Sequence, residues 1–172
     1  MSPRDFKTQV FTLVAFSGAL IALKSPGTGF AGDKKNKAAP TKKDAVRVLR
    51  DFRQALHSKD FDKALAFIYL PEKFKNERAK LKEGFQELSN PKLLDAELGE
   101  KGIARLEGKG QWGKLVDWLD EFDVTRITKE REISPADCYA LYLEKGSRRG
   151  AAFIQREGRL LIVYFNNIGH IE

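Results

Sequence analysis

The stretch Ala136–Asn167 reads ADCYALYLEKGSRRGAAFIQREGRLLIVYFNN. Its side chains alternate as those of β-strands do. From Ala136 to Glu144, Cys138, Ala140 and Tyr142 fall on one side, with Tyr139, Leu141 and Leu143 on the other. From Gly150 to Gln155, Ala151 and Phe153 oppose Ala152 and Ile154. From Leu160 to Asn166, Leu161, Val163 and Phe165 oppose Leu160, Ile162 and Tyr164. Gly146-Ser147 and Glu157-Gly158 supply turns, the second at hairpin length. The pattern predicts three consecutive strands. Both sides of each are apolar, which marks a sheet covered on both faces. Helices would cover one face. The other needs a curved, partly enclosed surface, a dimer partner or a ligand.

The helices lie upstream. Asp44–His57 carries Ala45, Val48, Leu49, Phe52, Ala55 and Leu56 at helical spacing, with Thr41 or Asp44 as the cap. Asp60 caps a second helix with Phe61, Ala64, Leu65 and Ile68 inward, and Pro71 stops it. Glu72–Leu88 reads as a third helix, placing Phe74, Leu81, Phe85 and Leu88 on one side. Asn90-Pro91 opens a fourth, with Leu93, Leu94 and Leu98 continuing the period. Gly99 and Gly102 weaken that pattern, and Ile103–Leu106 fits helix or strand equally. Gln111–Phe122 is expected as a short helix docked by Trp112, with Trp118 off its apolar stripe. Val124–Ile133 leans toward strand through its β-branched residues but lacks clean alternation.

The N-terminal part has a different character. Met1–Ala31 has Arg4 and Lys7, an apolar run from Val10 to Leu23, and a small-residue site at Gly29-Phe30-Ala31. That order predicts a signal peptide, and so a periplasmic or secreted protein. Left uncleaved, it would be an N-terminal membrane anchor; no membrane attachment is expected after cleavage. No cysteine follows the run, so this signal is not of the lipoprotein kind. Residues 32–43, GDKKNKAAPTKK, read as a flexible lysine-rich tether. Residues 44–172 remain as a single α+β domain.

Charge and cysteine usage narrow the function. The chain has a formal net charge of +7, but the leader and tether hold most of it. The domain keeps 23 basic against 22 acidic residues. A nucleic-acid-binding domain carries its positive charge on the fold, so no nucleic-acid partner is expected. Cys138 is the only cysteine, which leaves no intramolecular disulfide and no cysteine cluster for zinc. Only His57 and His170 accompany it. No metal site, cofactor or catalytic residue is assigned. His57 suits the C-terminal end of a helix dipole, and Cys138 suits a buried position. Trp118 lacks a packing reason on a helix and so becomes a candidate for a binding surface.

Two separated stretches point to a family. AVRVLRDFRQALHSKDFDKALAF, residues 45–67, resembles the opening of the nuclear-transport-factor-2-like (cystatin-like) superfamily. There a helix with an aromatic and an Ala-Leu pair, here Phe52, Ala55 and Leu56, precedes a turn and a second helix. GAAFIQREGRLLIVYF, residues 150–165, is similar to that superfamily's closing hairpin, with Leu161 where members often have tryptophan. The resemblance implies N-terminal helices packed on a curved antiparallel sheet, a cone-shaped, cystatin-like roll enclosing a pocket. Some members are isomerases, cyclases or dehydratases using a pocket Asp, His or Tyr; many exported ones only bind. No carboxylate stands among the apolar strand positions here, where a general base of raised pKa would be expected. The expectation is therefore an exported, non-catalytic domain that binds a small apolar ligand or a protein partner through the concave face of its sheet. Tyr69, Trp118, Tyr142 and Tyr164 are the candidate ligand-binding residues. The alternative is an isomerase- or dehydratase-type enzyme pairing Tyr69, Tyr142 or Tyr164 with an acid from Asp117 to Asp123. A homodimer closing the second sheet face is a third reading.

Overall fold

The computed structural model describes residues 39–129, 131–145 and 149–170. The expected signal peptide, residues 32–38 of the expected tether and the expected Gly146-Ser147 turn lie outside the described residues.

Helix α1 spans Lys42–His57 and buries Ala45, Val46, Val48, Leu49, Phe52, Ala55 and Leu56. Thr41 and Asp44 form a capping box. The Asp44 N–H donates to the Thr41 hydroxyl (3.2 Å) and the Thr41 N–H to the Asp44 carboxylate (3.0 Å). Lys42 and Lys43 are therefore helical, a correction to the tether reading. The cap satisfies donors that a lysine-rich composition does not announce. The far end closes with the Asp60 N–H on the Ala55 carbonyl (2.9 Å) and the Lys59 N–H on that of Leu56 (3.0 Å). Lys59 stands there at φ 58°, a conformation glycine normally supplies.

Asp60 caps α2 as expected, but this helix covers only Phe61–Leu65. Ile68 does not continue it. The Tyr69 N–H donates to the Ile162 carbonyl (2.9 Å), and the Ile162 N–H to that of Phe67 (2.8 Å). Ile68 is thereby an isolated parallel bridge on the last strand. The expected helix Glu72–Leu88 divides into a 3-10 turn, Glu72–Glu77, and α3, Arg78–Leu88. Helix α4 spans Pro91–Leu98 with Asn90 as cap and Pro91 in its first turn, as the sequence predicts. Helix α5, Glu100–Lys109, settles Ile103–Leu106 as helix, with Ile103 and Leu106 buried.

Gly102 has a packing reason. A side-chain carbon there would overlap the Ile168 carbonyl of the closing 3-10 turn, Ile168–His170. The residue that lowers helix propensity thus lets α5 meet the end of the chain backbone to backbone. Arginines from α1 tie the helices together. Arg50 pairs with Glu100 and Glu107 of α5 (both 2.9 Å). Arg53 pairs with Asp95 of α4 (2.6 Å) and donates to the Leu98 carbonyl (3.0 Å).

The largest departure follows. Gln111–Lys114 is strand β1, not the start of a helix; α6 is the single turn Leu115–Trp118, and α7 spans Glu121–Lys129. Gly110 and Gly113 are themselves poor helix formers, and pairing with a neighbouring strand wins. Val124–Ile133, which leaned toward strand, is largely α7 and the turn after it. Val124 and Ile127 are buried, and the Thr128 hydroxyl bonds back to the Val124 carbonyl (2.8 Å). Tertiary burial outweighs the β-branched preference.

Strands β2 (Cys138–Tyr142), β3 (Gly150–Arg156) and β4 (Arg159–Asn166) match the expected trio, and β1 makes a fourth. The order is β1-β2-β3-β4, and every neighbouring pair is antiparallel. A register shift between Ala152 and Phe153 bends the sheet against β4. Glu157 (φ 50°) and Gly158 (φ 75°) make the two-residue hairpin turn. The architecture is α+β, with the helices leading into a curved antiparallel sheet. Among the described residues no helix is long and apolar enough to cross a membrane.

Candidate functional site

The two faces of the sheet have different covers. On the first, Phe165 of β4 meets Phe52 of α1 edge to face, with ring centroids 5.6 Å apart. Phe52 also meets Phe85 of α3 at the same separation. At the other edge Trp112 of β1 stacks on Tyr139 of β2 (5.3 Å, planes within 3°), and its indole N–H donates to the Pro40 carbonyl (3.0 Å). Trp112 therefore docks the edge strand rather than a helix.

The second face is where a site was expected. Its cover is the chain's own Leu115–Ile133 segment. Leu115, Leu119, Val124, Ile127 and Ile133 pack on Cys138, Ala140, Tyr142, Ala152, Ile154 and Val163. The strand register explains how the segment approaches so closely. Gly113, Ala140, Ala152 and Tyr164 lie in one row across the four strands. Three of the four are the smallest residues available, so the middle of the face is a trough into which larger side chains descend. Trp118 closes one end of the row. A side-chain carbon at Gly113 would lie 2.6 Å from the Trp118 indole nitrogen. In the adjacent row Tyr142 opposes Gly150, and a carbon on Gly150 would lie 2.5 Å from the Tyr142 ring.

The four candidate residues thus share one apolar cluster but not one position. Tyr142 is interior, 1% exposed. Tyr69, Trp118 and Tyr164 are half-buried and pack against the outside of the cluster. Tyr69 lies beside β4 through its backbone bond to Ile162, and Tyr164 belongs to β4 itself. Leu161, half-buried on the same strand, joins them. Trp118 stands beside β1, three strand spacings or about 14 Å across the sheet. Sequence reasoning missed Leu161, because an apolar strand residue gives no sign that it reaches the rim. It also missed Gly113, whose importance depends on a tryptophan in the following helical turn.

The acidic groups lie around this face rather than on its strands. Of the acids from Asp117 to Asp123, only Asp123 is buried, at 4% exposure; Asp117, Asp120 and Glu121 are exposed. The Asp120 carboxylate caps α7 by accepting from the Asp123 N–H (2.8 Å). Arg131 and Thr128 are buried nearby in sequence, and Arg131 donates to the Ile127 carbonyl (3.4 Å). Cys138 is fully buried, with its thiol on the Ser134 carbonyl (3.6 Å). Burial first, and then the Asp137 carboxylate, push the thiol up to about 11, so it is a neutral packing group at physiological pH. His57 lies exposed in the last turn of α1 and His170 is exposed near the C-terminus. Among the described residues no group of three or more His, Cys, Asp or Glu side chains is placed to hold a metal ion.

Comparison with known proteins finds no matching family model, no matching curated protein and no matching solved structure.

Proposed function

We propose that the chain is an exported, non-catalytic binding domain of the kind its nuclear-transport-factor-2-like resemblance implies. Its ligand, a small apolar molecule or an apolar side chain of a protein partner, meets the β4 rim of the second sheet face. The observation that carries this reading is the rim itself. Tyr69, Leu161 and Tyr164 stand half-buried along β4, outside a cluster whose strand residues are shut from solvent. Tyrosines in that setting offer an apolar ring and a polar tip, the combination enriched at binding surfaces. Trp118 offers a second flank at the β1 edge.

The enclosed centre favours binding over chemistry. Of the Tyr–acid pairings open to an isomerase-type reaction, the one between Tyr142 and Asp123 lies at residues only 1% and 4% exposed. Entry there would require α6 and α7 to lift from the sheet. Nor does the second face require a dimer partner as its cover, since Leu115–Ile133 already occupies it.

The test is a fluorescence titration of the full chain with 1-anilinonaphthalene-8-sulfonate, an apolar dye, repeated with Tyr69→Ala, Tyr164→Ala and Trp118→Ala. Saturable binding weakened at least tenfold by either tyrosine change, with the melting temperature within a few degrees of the parent, is the expected result. Dye binding that ignores all three changes would overturn the assignment to this rim. Export is tested separately, by N-terminal sequencing of the secreted product. A chain beginning near Gly32 is expected, and one still beginning at Met1 would contradict cleavage.

A further inference from the structure

We draw no further inference here: the strongest candidate, the surface patch at α6 and the start of α7 that exposes Val116 together with Asp117, Asp120 and Glu121, has nothing in the structure to show what covers it.

Discussion

Cys138 shows how one side chain's surroundings set its chemistry. Its folded-state pKa lies above its ordinary value of 9.0, at about 11, so the folded chain holds the thiol proton more tightly than the unfolded chain does. The resulting stabilisation is fully present below pH 9 and is lost as the pH rises through 11. Urea midpoints measured from pH 7 to 11 are expected to fall over the upper part of that range, and the fall is expected to shrink in Cys138→Ala. The same burial predicts that iodoacetamide leaves the native thiol unmodified at pH 8 and alkylates it in urea. Rapid native alkylation would contradict the packing role. Gly113 gives a second residue-scale prediction. In Gly113→Ala the new methyl meets the Trp118 indole, so a loss of about 1–3 kcal/mol is expected, as for other overpacked sites. A shift in tryptophan emission should accompany it, and an unchanged spectrum and stability would mean that Trp118 does not lie over β1.

At the scale of elements, the ends of α1 are the most informative. The Thr41 hydroxyl and N–H hold the Asp44 carboxyl below its ordinary range. Its folded pKa is depressed, so the contribution is present above the ordinary carboxylate pKa and lost as pH falls through the folded value. Thr41→Ala is expected to cost about 1 kcal/mol at pH 7. The difference from the parent should narrow as the pH falls below the ordinary carboxylate value of 3.8, as read from urea melts at each pH. Most of the helices were legible because apolar spacing, Asp60, Asn90 and Pro91 are local signals. So were β2, β3 and β4, whose alternation and Glu157-Gly158 turn need no distant partner. The failures are equally specific. Trp112, Leu115, Val116 and Leu119 fit a helical period by coincidence, yet Gln111–Lys114 pairs with β2, a choice made by residues some 30 positions away. Val124 and Thr128 carry strand propensity, but α7 is selected by the face it buries against β2 and β3.

At the scale of the molecule, the sheet is filled on both sides by its own chain. The sequence made the need for a second cover plain, because Cys138, Ala140, Ala152 and Ile154 are as apolar as the residues on the opposite face. It did not reveal the source of that cover, since Val124–Ile133 lacks a clean strand alternation and the helical spacing of Leu115 and Leu119 does not say which surface they bury against. The candidate site was legible in part. Tyr69, Trp118, Tyr142 and Tyr164 do converge on one cluster, but only the strand register separates the interior Tyr142 from the rim. Ile127→Ala, which removes a fully buried side chain from the cover, is expected to cost about 2–5 kcal/mol. It should also leave a cavity within the cluster that holds Ala140, Tyr142 and Ala152.

The central claim is that this face is closed from within by Leu115–Ile133, which is why the proposed ligand site is its edge. Xenon titration followed by NMR tests it most directly, because a dry apolar cavity takes up xenon as a saturable guest. The parent chain is expected to show no saturable shifts at the Ala140, Tyr142 and Ala152 amides, whereas Ile127→Ala should show them. Saturable xenon binding at those three residues in the parent would contradict the account and return the centre of the face to consideration as an open pocket.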